Sequence, residues 1–194
     1  MVRGPLELDP REVKRLLGEL RSRLVAKGIP ARIYVFGGSA MALQFPDDDE
    51  TRMTQDIDAA FQPSEPVREV IAEMAAELGL SPAWMNSDGM AWIPPCESSA
   101  PLEAVVTIAT VEELIAMKLA ASREQDLHDL GILARKANIT DPQRLVDIAF
   151  EAYGEDSVVL NEPRGDYLIL AKQAIQAGRR RRRSPDRSIT SPTA

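Results

Sequence analysis

The run ARIYVFGGSAMALQF, residues 31–45, narrows the fold more than any other stretch of the chain. ARIYVF has the length and apolar character of a short buried strand, and GGSAMALQF opens a short helix with nothing but two glycines and a serine between them. A strand that feeds directly into a helix belongs to an α/β arrangement. The same junction gathers free backbone N–H groups and the positive end of a helix at one spot, which suits a phosphate. Gly37 and Gly38 would allow close backbone approach, and Ser39 could donate its hydroxyl. A plain strand-to-helix turn explains an isolated Gly-Gly-Ser equally well. The other glycines and the lysine of a Walker loop or a dinucleotide fingerprint are missing.

A second strand is expected at QDIDAAF, residues 55–61, after the polar loop FPDDDETRMT. Side chains on a strand alternate between faces, so Asp56 and Asp58 would project together, ~7 Å apart, with Ile57 opposite. Two such carboxylates can share a divalent cation, although two solvent-facing aspartates on an edge strand remain the simpler alternative. With one cysteine, Cys96, and one histidine, His128, the chain cannot build a thiolate or multi-histidine centre. Carboxylates would therefore be the ligands, which favours Mg²⁺ or Mn²⁺. Thr54 precedes Asp56 by two and would share its face. The acidic run 47–50 reads as a solvated loop.

The remaining pattern divides the chain. Asp9-Pro10-Arg11-Glu12 starts a helix that continues through Leu24 to Gly28, and residues 64–80 form another. Residues 81–101 are irregular, and LEAVVTI, 102–108, reads as a third strand. Thr110-Val111-Glu112-Glu113 is a capping box that launches a helical second half, with further helices near 141–153 and 162–178. The expectation is an α/β (α+β) protein. A small mixed sheet with flanking helices spans 1–109, a helical bundle 110–178, and a disordered basic tail 179–194. Lys118 sits in the apolar run LIAMKLAA, where an unpartnered lysine is unusual. It would share a face with Asp129 on a continuous helix, or meet Asp126 if the helix breaks. Arg123 could clamp a phosphate through its planar fork, or lie on the surface. His128 and the two tryptophans, Trp84 and Trp92, read as packing residues first.

Gly-Gly-Ser at the end of one strand, then Thr-x-Asp-x-Asp on the next, resembles the nucleotidyltransferase superfamily with the polymerase-β-like fold. The helical run ELIAMKLAASREQDLHDLGIL is similar to the C-terminal motif of AbiEii/MenT-type toxins, through Leu114, Lys118, Arg123, Asp126, Asp129 and Leu130. Together these motifs tie residues 30–135 to that family. The resemblance implies a metal on Asp56 and Asp58, with Lys118 and Asp126 completing a catalytic site. It also implies nucleotide phosphates held by Gly37, Gly38, Ser39, Thr54, Lys118 and Arg123. Asp129 is a further candidate. A third metal carboxylate belongs to the family on a later strand, and Glu103 is the available residue. The implied activity is transfer of a nucleoside monophosphate from a nucleoside triphosphate to a hydroxyl at the 3′ end of tRNA. The chain would be the toxin of a toxin–antitoxin pair, with a cognate antitoxin as partner. Alternatives are a relative that modifies a protein hydroxyl, or a non-catalytic scaffold of the same fold that binds nucleotide or RNA. Phosphorylation of Thr54 or Ser39 would put about two negative charges beside the metal and block nucleotide binding.

Charge supports an anionic partner. The chain carries a net charge of −7, yet five consecutive arginines, Arg179 to Arg183, stand near its end. Such a run binds phosphate backbones without sequence specificity, or pairs with an acidic protein surface. No apolar stretch approaches the ~20 residues of a membrane span, and low cysteine content points to the cytoplasm.

Overall fold

The computed structural model describes residues 7–48, 53–95 and 105–181. It is a mixed α/β protein: among the described residues, seven helices surround or follow a four-stranded sheet. Helix α1, Pro10–Ala26, begins as its sequence dictates: the Asp9 carboxylate accepts from the Glu12 N–H at 2.8 Å, and a proline opens the first turn. Its face of Val13, Leu16, Leu17, Leu20 and Leu24 is buried. Strand β1, Arg32–Val35, leads into α2, Gly37–Gln44. Strand β2, Ile57–Gln62, pairs antiparallel with β1, and α3, Ser64–Leu78, follows it. Strand β3 is only Met85–Asn86 and runs parallel to β2; a 3₁₀ turn at Met90–Trp92 comes next. Strand β4, Val105–Ile108, lies parallel to β1, giving the order β3-β2-β1-β4.

The second half is helical: α4, Val111–Ala121; α5, Glu124–Lys136; α6, Pro142–Tyr153; and α7, Arg164–Arg181. The expected capping box is formed, with Thr110 and Glu113 exchanging both hydrogen bonds. Helix α5 packs along α7 so closely that a Cβ on Gly131 would lie 2.6 Å from the Ala174 carbonyl oxygen. Arg164 lies 4.0 Å over the Phe150 ring and bonds Asp147 at 3.0 Å, clasping α7 to α6. The two halves do not have separate cores. One cluster of buried side chains runs from Val13 and Ile33 to Leu119, Leu133 and Tyr167.

Several expectations are corrected. Strand β2 begins at Ile57, so Asp56 stands just ahead of it, where the Ile57 N–H bonds the Trp84 carbonyl at 2.8 Å. Helix α7 continues through Arg181, so the first three arginines of the basic run extend a helix instead of starting a disordered tail. Arginine is a good helix former, and nothing in the run interrupts the helix. Arg182 and Arg183 lie outside the described residues, as do Cys96 and Glu103. Asp48, read as part of a solvated loop, is nearly buried and paired with Lys136 and Arg135 at the end of α5. Cations near a helix C-terminus complement its dipole, and Asp48 answers them.

Candidate functional site

The helical run that carries Lys118 is broken once, at Ser122, which adopts a left-handed φ of 50° between α4 and α5. That break decides where the charges go. With α5 turned away from α4, Lys118 Nζ donates to Asp126 Oδ1 at 2.8 Å and to Asp129 Oδ2 at 2.7 Å. Lys118 thus meets both aspartates read from the sequence, but across a break and not along one continuous helix. Arg123 donates from Nε to the other oxygen of Asp126 at 2.6 Å. Asp126 is 1% exposed, and both its oxygens are engaged. It holds the two cations in place and does not line the cavity described next.

That cavity, of about 210 Å³, is lined by Gly37, Gly38, Thr54, Asp58, Lys118, Arg123 and Asp129, with Met41, Met53 and Gln125. Seven residues singled out by sequence, from both halves of the chain, thus meet at one place. Gly37 has φ +64°, and a Cβ there would lie 2.4 Å from Asp58 Oδ2, so only glycine lets the turn approach that carboxylate. Phe36, which precedes α2, makes no side-chain cap to its first turn. The Thr54 hydroxyl donates to the Asp56 carbonyl at 2.7 Å, and its backbone is pinned by a two-way bridge to Leu8.

Compared with known proteins, the chain matches no family model, no curated protein and no solved structure. The site therefore stands on its geometry.

Two further expected members, besides Asp126, fall elsewhere. Ser39 is fully buried and donates to the Phe36 carbonyl at 3.1 Å. It lies on the face of α2 that enters the core, so its hydroxyl cannot meet a ligand in the cavity, and a kinase could not reach it without unfolding the turn. Asp56 does not line this cavity; its Oδ2 accepts from Asn86 Nδ2 at 2.8 Å. Asn86 belongs to a two-residue strand inside an irregular stretch, and no periodicity in the sequence could have marked it. His128 is half-buried on α5, and Trp84 is core, its indole N–H donating to the Ile71 carbonyl at 3.1 Å.

The electrostatics follow from this layout. Burial pushes the Asp58 carboxyl up to about 6, the charge of Asp56 pushes the same way, and Lys118 and Arg123 oppose them. Burial alone would lower the Lys118 ammonium, but Asp129 and Asp126 outweigh it and hold Lys118 above its ordinary range. Asp126 is held below the usual carboxylate range: burial works against this, and the Arg123 and Lys118 hydrogen bonds overcome it. Lys118 and Arg123 thus balance Asp126 and Asp129. Asp56 and Asp58 add two negative charges that this quartet leaves uncompensated. Hard oxygen donors with an excess of negative charge fit a divalent cation such as Mg²⁺ or Mn²⁺. Among the described residues, no group of three or more His, Cys, Asp or Glu side chains is gathered in ligand geometry. Asp58 is the carboxylate that lines the cavity, and Asp56, bonded to Asn86, lies near enough for its charge to act on Asp58.

Proposed function

We propose that this chain is a metal-dependent nucleotidyltransferase that moves a nucleoside monophosphate from a nucleoside triphosphate to an acceptor hydroxyl. One observation carries the reading: the Gly37-Gly38 turn, Asp58, Lys118 and Arg123, far apart in sequence, line one cavity. Glycine N–H groups and two cations suit phosphates, and the carboxylates beside them suit the cation that accompanies a triphosphate. Asp56 and Asp58 would hold that cation, which when bound neutralises phosphate charge and lowers the pKa of the attacking hydroxyl.

The chain's own residues then act by position and charge. The α2 N-terminus, Lys118 and Arg123 hold the phosphates. The acceptor oxygen bonds the α-phosphorus as the bond to the β-phosphate oxygen breaks. Pyrophosphate leaves with the electron pair, and the hydroxyl proton is released. Asp126 and Asp129 keep Lys118 charged and aimed. The arginine run at the end of α7 favours RNA as the acceptor, the 3′ end of tRNA first, with the chain acting as the toxin of a pair whose antitoxin restrains it. Modification of a protein hydroxyl uses the same site. No helix among the described residues is long and apolar enough to cross a membrane.

The test is incubation with each labelled nucleoside triphosphate, Mg²⁺ and total RNA. Label should transfer to RNA and vanish with Asp56→Ala or Asp58→Ala. Absence of transfer to RNA or protein with every nucleotide would leave the second reading, a scaffold that binds nucleotide without reaction. The engagement of Lys118 by two carboxylates is the observation in favour of that second reading.

A further inference from the structure

A second cavity, of about 140 Å³, adjoins the first and shares Gly37, Asp58, Lys118 and Arg123 with it. We propose that it receives the base of the bound nucleotide against the Trp92 indole, while the phosphates occupy the first cavity. This rests on the nucleotide-binding part of the reading above.

The two cavities differ in chemistry. The first offers the glycine turn, the Thr54 hydroxyl and the Gln125 amide. The second is walled by Phe36, Trp92, Leu114 and Met117, with Asp88 at its rim. An apolar and aromatic wall suits a flat neutral ring. Asp88 adds a negative charge with no added cation, which disfavours a phosphate and favours the N–H groups of a base edge. Because both cavities open onto Asp58, one molecule with a phosphate end and an aromatic end can occupy both with its α-phosphate beside that carboxylate.

The wall is also held in place. Asn86 donates to Asp56 and accepts from the Asp88 N–H at 2.9 Å. Gly89 lies so close to Phe36 that a Cβ there would meet the ring at 2.6 Å. The Trp92 carbonyl accepts from the Tyr153 hydroxyl of α6. The segment bearing Asp88 and Trp92 is therefore tied to the carboxylate pair at one end and to the helical half at the other. An aromatic wall fixed before the ligand arrives loses little entropy on binding.

The experiment measures dissociation constants of the whole chain with Mg²⁺, in separate titrations, for inorganic triphosphate, the four nucleoside triphosphates and a short RNA ending in a 3′ hydroxyl. Nucleotides should bind more tightly than inorganic triphosphate. Trp92→Leu should erase about ten-fold of that advantage while leaving inorganic triphosphate unchanged, and Trp92→Phe should restore most of it. UTP, whose one ring N–H lies between two carbonyls, should bind weakest, and Asp88→Asn should remove that discrimination. Asp88 is exposed, so this variant tests the cavity even if a Trp92 variant fails to fold. If nucleotides keep their advantage in folded Trp92→Leu and UTP keeps its rank in Asp88→Asn, the base lies elsewhere and the proposal fails, with the proposed activity untouched. The proposal fails in the same way if Trp92→Leu weakens only a short RNA ending in a 3′ hydroxyl, because the cavity then holds the acceptor. If the wild type binds neither nucleotides nor inorganic triphosphate, the nucleotidyltransferase reading falls as well.

Discussion

A methyl group at Gly37 would sit 2.4 Å from Asp58 Oδ2, on a backbone with φ +64°. Its neighbour Gly38 is different: a Cβ there would meet only Thr54 Oγ1, at an ordinary 3.8 Å. Two adjacent glycines of one motif thus have unequal roles. Gly37→Ala should lose the proposed nucleotidyl transfer and about 1–2 kcal/mol of stability from the left-handed backbone alone, whereas Gly38→Ala should keep its stability. Thermal melts and the transfer assay on the two variants check this. Asp58 makes a second residue-scale prediction. Its carboxyl stands near 6 in the fold against about 4 in the unfolded chain. The folded state therefore holds the extra proton between those values, and this group's contribution to stability rises as pH falls through that window. With divalent cations chelated, the wild type should gain melting temperature between pH 7 and pH 5 relative to Asp58→Asn. Added Mg²⁺ should shrink that gain by competing with the proton.

At the scale of elements, the break between α4 and α5 organises the site. It lets one ammonium bridge two aspartates on the next helix. The two aspartates should separate on mutation. Asp126→Ala opens a buried vacancy, releases Arg123 and leaves Lys118 to Asp129 alone, and should cost about 3 kcal/mol in denaturant unfolding. Asp129→Ala leaves Lys118 paired with Asp126, so its stability loss should be smaller, and its effect should show in nucleotide binding. The Lys118 partnership was legible in the sequence, because a lysine in LIAMKLAA needs a counter-charge. That it would meet both aspartates at once was not, because that depended on one residue, Ser122, taking a conformation that serine seldom adopts. The bounds of β2 and α7 were missed for a similar reason. Hydrophobic period marks the body of an element, while its ends depend on hydrogen bonds to distant partners, such as that from Ile57 to Trp84.

For the whole molecule, the division into a 1–109 half and a 110–178 half describes the order of elements, not two folding units. Buried side chains from both halves form one cluster, and Gln44 of α2 donates to the Ala109 carbonyl at 2.8 Å across the seam. Unfolding should therefore be one transition, with far-ultraviolet circular dichroism and tryptophan fluorescence superimposing. Two separated transitions would show that the halves are independent. What the amino-acid sequence determined by itself was local: the capped starts of α1 and α4, the strand–glycine–helix junction, the Asp-x-Asp pair and the isolated lysine. Each depends on residues within a turn or two of one another, whose spacing carries the physics. The tertiary structure alone decided that Ser39 faces the core, that Asp126 supports the site from behind, and that Asn86 steadies Asp56. It also placed a Trp92-lined cavity beside the one that holds the glycine turn and Lys118. Those outcomes depend on which surfaces the packed helices and sheet bury together, and no spacing along the chain encodes that choice.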